Sequence, residues 1–140
     1  MSRAGINILI NKHQLSAAII FFTLDLILKY FYVSGNNAVI NRGISFGVLI
    51  SSNFIYLILI SVIFIWLYRE KMWLILAGGM ANLVSRIVWG GVVDYWNFFG
   101  LFSNNLADWM IGVGLVVYVV NNIRTIGKLG KPDNWKAGKI

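Results

Sequence analysis

Long apolar runs alternate with short polar ones along this chain, and four runs approach the length of a bilayer core: Gln14 to Val33, Asn53 to Tyr68, Met72 to Trp89 and Asn105 to Ile123. About 17 to 25 apolar residues cross such a core as a helix, so each run predicts a span. The second is short, and a start in the Phe46 to Ile50 region with some tilt would lengthen it. The first is long and lacks a small-residue cleavage site, so it is expected to be retained as a span rather than removed as a signal peptide. The fold expected is an all-α integral membrane protein, a four-transmembrane-helix bundle with a short extracytoplasmic segment between helices 1 and 2. One domain is expected over residues 1–125, followed by a basic cytoplasmic tail over 126–140.

Composition strengthens this reading. Hydrophobic residues make up 59% of the 140, with a single proline and a mean hydropathy of +0.74, well above the roughly 45–50% apolar content of soluble domains. The net charge of +7 follows from topology. Nine of the twelve Lys and Arg residues lie before the first span (Arg3, Lys12), between the second and third (Arg69, Lys71) or after the fourth (Arg124, Lys128, Lys131, Lys136, Lys139). The positive-inside rule makes those segments and both termini cytoplasmic. A nucleic-acid partner is therefore not expected, while the tail has the charge to touch anionic lipid heads. Cysteine is absent and the only histidine, His13, lies in the cytoplasmic arm, which excludes disulfides, thiolate metal sites and a cysteine nucleophile.

Six charges remain: Asp25, Lys29, Arg42, Arg86, Asp94 and Asp108. Asp25 and Lys29, at i and i+4, share a face toward the outer end of the first span. On the outward-running third span Asn82 falls near mid-depth, Arg86 a turn higher and Asp94 just past the end. The fourth span returns inward with Asn105 in its first turn and Asp108 three residues on. All of these converge near the outer leaflet. Taken singly, Asp25 and Lys29 make an ordinary ion pair, Arg86 snorkels and Asp108 complements a helix dipole; together they mark a functional site, because ionisable groups in spans are expensive. Gly78, Gly79, Gly112 and Gly114 are expected to serve close helix packing, and a loop of ten or so irregular residues is expected ahead of the fourth span. Its aromatics Tyr95, Trp96, Phe98 and Phe99, with Trp109, are expected in the interfacial belt.

Two carboxylates held close cannot both ionise cheaply, so one keeps its proton while the other acts as a base toward water. Asp94 and Asp108 are the candidates for such aspartic hydrolysis. A Ser85–Lys29 nucleophile–base pair is the chemical rival, although Asp25 beside Lys29 would hold it charged. A metal site of Asp25, Asp94 and Asp108 is weaker, lacking a histidine or a specific ligand spacing. A proton path through a small transporter would explain the depth of the charges alone.

The stretches "LDLILKY" (Asp25, Lys29), "INRGISFG" (Asn41, Gly43, Phe46), "GGMANLVSRIVWGGVVDY" (Asn82, Arg86, Asp94) and "NNLADWMIGVG" (Asn105, Ala107, Asp108, Ile111) occur in one order. In that order they resemble the four motifs of the lipoprotein signal peptidases, or signal peptidase II, membrane aspartyl proteases of bacteria. The resemblance implies Asp94 and Asp108 as the catalytic aspartates, with Asn41, Asn82, Arg86 and Asn105 holding the substrate and dyad and Asp25 and Lys29 supporting the site; Gly43 and Ser85 are further candidates for binding or support. It implies a lipidated prolipoprotein as substrate, cut just before its diacylglyceryl-modified cysteine, with membrane lipid around the enzyme and no metal or other cofactor. It further implies a monomer in the bacterial inner membrane with its active site on the extracytoplasmic face.

Three departures stand out. Ser85 occupies a position where the family usually has aspartate, which leaves Arg86 less neutralised and raises a silent, non-cleaving relative as the alternative. Asn104 replaces a usual phenylalanine. Only eleven residues separate Lys29 from Asn41, so a reduced β-cradle is expected.

Overall fold

The structure, a computed structural model, describes residues 3–44, 48–49, 54–99 and 101–129. In chain order the elements are α1 (Arg3–Ser34), β1 (Val39–Asn41), β2 (Gly43–Ile44), β3 (Val48–Leu49), α2 (Phe54–Arg69), α3 (Trp73–Trp89), β4 (Val92–Asp94), β5 (Trp96–Phe98), β6 (Phe102–Asn104) and α4 (Leu106–Leu129). Four helices thus carry the fold. Two segments, Lys12–Ser34 and Leu106–Ile123, are long and apolar enough to cross a membrane; α2 and α3 are apolar but shorter, at 16 and 17 residues.

The usual distribution of residues is inverted. Ile20, Ile27 and Phe31 of α1, Val62 and Ile65 of α2, Ile87 of α3, and Val116 and Ile123 of α4 point outward, whereas Asp25, Lys29, Asn82 and Ser85 are buried. Water would penalise that arrangement and lipid favours it.

Helix α3 is the centre, packed on α1, α4 and α2. Its approach to α4 needs glycine: a Cβ on Gly78 would stand 2.5 Å from the Ala107 carbonyl oxygen, and one on Gly114 2.5 Å from Ile75. Gly79 meets Phe64 of α2. Gly112 does not fit the packing role expected of it; nothing lies within 4 Å of a Cβ there, because it is on the outer face of α4. Leu67, Met72 and Ile75 form the apolar core beside the α2–α3 turn, with Phe64, Leu76, Ile111 and Tyr118 around it.

At the opposite end the helices are capped by short strands. Helix α1 ends where Asn36 takes a left-handed φ of 55°, and Asn37 N–H closes the turn on the Tyr32 carbonyl at 3.0 Å. Helix α3 ends on Gly90, left-handed at φ 73°, whose N–H bonds the Arg86 carbonyl. Strands β1 and β4 then pair antiparallel, Val39 with Asp94 and Asn41 with Val92. Gly91 permits the approach, since a Cβ there would meet the Asn41 carbonyl oxygen at 2.8 Å. Gly43 lies opposite Leu49 in the β2–β3 ladder.

Two expectations are corrected. Helix α2 does not reach back into the Phe46 to Ile50 region, because Val48–Leu49 is paired as a strand; Phe46 lies outside the described residues. The segment before α4 is not irregular: β4 is followed by the β5–β6 hairpin, Trp96 opposite Asn104 and Phe98 opposite Phe102. Helix α4 runs unbroken to Leu129; residues 130–140 lie outside those described.

Candidate active site

The site forms where the first turn of α4 meets the end of β4. Asp94 ends β4 and is buried, whereas Asp108 sits half-buried in the first turn of α4. Asn105 links them. It is the cap of α4: its Oδ1 accepts the Asp108 N–H at 3.0 Å, while its Nδ2 donates to Asp94 Oδ1 at 2.7 Å. A capping asparagine ordinarily satisfies only the helix end; here the same carboxamide also holds the other carboxylate. Asn41 on β1 donates to Asp94 Oδ2 at 3.5 Å.

A second chain of bonds holds Asp108 from behind. Lys29 and Asp25 form an ion pair at 2.6 Å with both side chains fully buried. Lys29 Nζ donates to Asn82 Oδ1 at 2.8 Å, and Asn82 Nδ2 donates to Asp108 Oδ1 at 2.8 Å. The donor on one side and the acceptor on the other fix the orientation of the Asn82 amide, since its oxygen faces the ammonium and its nitrogen the carboxylate. Arg86 bonds the Asn82 carbonyl through Nη1 at 3.2 Å and lies within electrostatic reach of both Asp108 and Asp94.

Burial pushes the Asp94 carboxyl up to about 6 from an ordinary 3.8. The Asn105 hydrogen bond opposes the shift, the Asp108 charge adds to it, and Asn41 and Lys29 oppose it. Desolvation therefore outweighs two hydrogen bonds and a cation. Burial also pushes the Tyr95 hydroxyl up, so it stays protonated.

Of the residues singled out in the sequence, Asp25, Lys29, Asn41, Asn82, Asp94, Asn105 and Asp108 join in this hydrogen-bonded cluster, with Arg86 beside it. Arg42 and Ser85 are not part of it. Arg42 is exposed between β1 and β2. Ser85 is buried, with its Oγ donating to the Gly91 carbonyl at 3.0 Å and accepting from Val93 N–H at 2.9 Å. It thus fastens the turn from α3 into β4, and Lys29 is engaged by Asp25 and Asn82, so no serine–lysine pair forms.

Tyr95 was assigned to the interfacial belt and is instead buried in the site. Its hydroxyl donates to Asp25 Oδ1 at 3.0 Å and accepts from Leu106 N–H at 2.9 Å. Asp25 Oδ1 also accepts the Ala107 N–H at 3.0 Å. The sequence signal was present in principle: a helix start buried against other helices has several unpaired N–H groups, and Asn105 can satisfy one. Trp96, Phe98 and Trp109 line an open aromatic groove of about 480 Å³ beside the site, with Tyr95 as its inner wall.

A helical membrane protein with one buried and one half-buried carboxylate in a shared hydrogen-bond network at one end of its bundle is the class that fold and site define. The sequence profile of the family described as Signal peptidase (SPase) II matches residues 16–124, and the chain belongs to that family. It is 31% identical over 100 residues to a lipoprotein signal peptidase of Campylobacter jejuni subsp. doylei, covering 60% of this chain and 64% of the relative. It is also 31% identical over 92 residues to one of Halothermothrix orenii, covering 57% and 63%. The matched stretch thus spans less than two thirds of these relatives. A bacterial membrane enzyme structure solved by the in meso method superimposes with a TM-score of 0.72, covering 87% of this chain and 94% of that one at 19% identity, and shares its fold.

Proposed function

We propose that this chain is an aspartic endopeptidase that removes signal peptides from diacylglyceryl-modified prolipoproteins, cutting just before the lipidated cysteine. The observation that carries this reading is the Asn105 carboxamide, which ties Asp94 to the backbone of Asp108 and so holds two carboxyl groups at one point of the fold. In the reaction, the ionised carboxylate takes a proton from water as the water oxygen attacks the scissile carbonyl carbon. The protonated carboxyl gives its proton to the carbonyl oxygen. Collapse of the tetrahedral species breaks the C–N bond: the proton taken from water passes to the leaving amine, and one hydroxyl of the tetrahedral carbon returns its proton to the carboxylate that protonated the carbonyl oxygen as the product carboxyl forms. Asp94, the deeper residue and the one pushed up to about 6, holds the shared proton; half-buried Asp108 receives the proton of water. Neither step calls for a metal or cofactor.

The four helices act as four spans, with α2 and α3 tilted little in a locally thin bilayer. Both termini face the cytoplasm, and the dyad opens toward the extracytoplasmic face, where a precursor presents its lipidated cysteine. The chain acts alone in the bacterial inner membrane, on a substrate already anchored there. The silent-relative alternative rested on Ser85, and the bonds of its hydroxyl to Gly91 and Val93 give it a structural role compatible with catalysis.

The test is cleavage of a diacylglyceryl-modified precursor, followed by gel shift, with Asp94→Asn and Asp108→Asn proteins that insert normally. Each substitution is expected to abolish cleavage. Robust cleavage by either would overturn the reading.

A further inference from the structure

We propose that Tyr95 is a positioning residue of the dyad, whose hydroxyl fixes the first turn of α4 and with it the carboxylate of Asp108. The proposal rests on the aspartic reading of Asp94 and Asp108 and deepens it.

The first turn of a helix offers N–H groups with no partner inside the helix. In α4 three of them have different outside partners: Leu106 N–H bonds the Tyr95 hydroxyl at 2.9 Å, Ala107 N–H bonds Asp25 Oδ1 at 3.0 Å, and Asp108 N–H bonds Asn105 Oδ1 at 3.0 Å. Two of the three partners are joined, because the Tyr95 hydroxyl gives its proton to the same Asp25 oxygen at 3.0 Å. Asp25 in turn is fixed by Lys29 at 2.6 Å. The start of α4 is therefore bracketed at once from α1 and from Tyr95, the residue that follows β4, and Tyr95 closes the bracket.

A phenol suits this place. It has one proton to donate and lone pairs to accept with, and here both capacities are used against buried partners. Its ring cannot wander: it stacks on Tyr32 at 5.1 Å and 19° and meets Trp96 edge-on at 5.2 Å and 70°. Tyr95 also directly follows Asp94. Extended backbone sends successive side chains to opposite sides, so Asp94 reaches the Asn105 amide and Tyr95 reaches the N–H of the next residue, Leu106. This dipeptide straddles the entrance of the helix that carries Asp108. Losing the hydroxyl leaves Leu106 N–H without its partner and frees the turn to shift, and a displacement of about 1 Å in a catalytic group costs on the order of a hundredfold in rate.

The experiment measures kcat, KM and thermal unfolding of the full chain in lipid nanodiscs with a diacylglyceryl-modified precursor. The proteins compared are wild type, Tyr95→Phe, Asp25→Asn, their double variant and Asp108→Asn. Tyr95→Phe, which keeps both ring contacts, is expected to lower kcat at least tenfold with KM within about twofold. Its effect should shrink severalfold in the Asp25→Asn background, because both residues hold the same turn. A purely structural role would lower the unfolding temperature and leave the kcat of folded protein unchanged, which would overturn the proposal. Should Tyr95→Phe fail to fold, 3-fluorotyrosine at position 95 keeps the ring while weakening the oxygen as an acceptor; wild-type kcat there would overturn it equally. Cleavage by Asp108→Asn would instead overturn the aspartic reading beneath it.

Discussion

Asn105 donates to Asp94 across the base of the β5–β6 hairpin, Nδ2 to Oδ1 at 2.7 Å, from the residue that also caps α4. The two roles can be separated by their magnitudes. Loss of an N-cap costs about 0.5–2 kcal/mol of stability, whereas loss of dyad registration costs roughly a hundredfold in rate. Asn105→Ala is therefore expected to unfold only slightly earlier than wild type and to cleave about a hundredfold more slowly. Thermal unfolding and precursor cleavage on the same preparation check this; near-normal cleavage would show that the Asn105 amide does not register the pair.

Asp94 makes the site pH-sensitive with a definite sign. Its carboxyl holds a proton up to about pH 6 in the folded chain but releases it near 3.8 when exposed. Folding therefore takes up a proton between those values, and stability falls as pH rises through that window. Asp94→Asn removes the desolvated charge, so its unfolding temperature should exceed that of wild type above pH 6 and approach it near pH 4. Wild-type cleavage should decline as pH rises through about 6, where the shared proton is lost. Unfolding scans and a pH–rate profile test the two limbs independently.

Ser85 invites a different test, because its hydroxyl serves backbone groups on both sides of the α3–β4 turn. Ser85→Ala leaves the buried Val93 N–H and Gly91 carbonyl without that partner, at a cost of about 1–3 kcal/mol. It also loosens β4, which ends in Asp94. Stability and cleavage should fall together in Ser85→Ala and return in Ser85→Thr, which restores the hydroxyl. An alanine variant with wild-type unfolding and rate would remove Ser85 from the positioning of β4.

The helices were legible because their signal is local: an apolar run sets its own hydrogen bonding, and α3 and α4 start within a residue of where the runs begin. The clustering was legible too, since a rise of about 1.5 Å per residue sends Asp25, Lys29, Asp94 and Asp108 toward one end of the helices, and they meet in one hydrogen-bonded cluster. The strands were legible only as the small β-cradle that the resemblance implies between the first two helices, where β1, β2 and β3 lie; their pairing and the β5–β6 hairpin were not. Pieces of two or three residues such as β1 and β4 carry no periodicity, and their pairing joins residues more than fifty positions apart. Tyr95 was missed for a related reason: an aromatic beside a span looks like an interfacial anchor until the buried N–H groups of α4 are counted. Ser85 was read against its neighbour Arg86, yet its partners are the backbone at Gly91 and Val93, a turn the sequence does not display.

The glycines of α3 and α4 give the sharpest contrast between a residue that sets the dyad and one that does not. Alanine is the better helix former by about 0.5–1 kcal/mol, so Gly→Ala in either helix stabilises unless the new methyl has nowhere to go. At Gly112 nothing lies within 4 Å of it, and Gly112→Ala is expected to be neutral or slightly stabilising with normal cleavage. At Gly78 the methyl would lie 2.5 Å from the Ala107 carbonyl oxygen and 2.9 Å from Ile111. Overpacking there costs about 1–3 kcal/mol, which outweighs the helical gain. The displaced segment is the first turn of α4, so Asp108, the residue after Ala107, moves away from the Asn82 amide that holds it at 2.8 Å. Gly78→Ala is therefore expected to unfold earlier and to cleave at least tenfold more slowly, by the same misplacement of a catalytic group. Parallel unfolding and cleavage measurements on the two variants decide the matter; equal behaviour would mean that the α3–α4 contact does not set the position of Asp108.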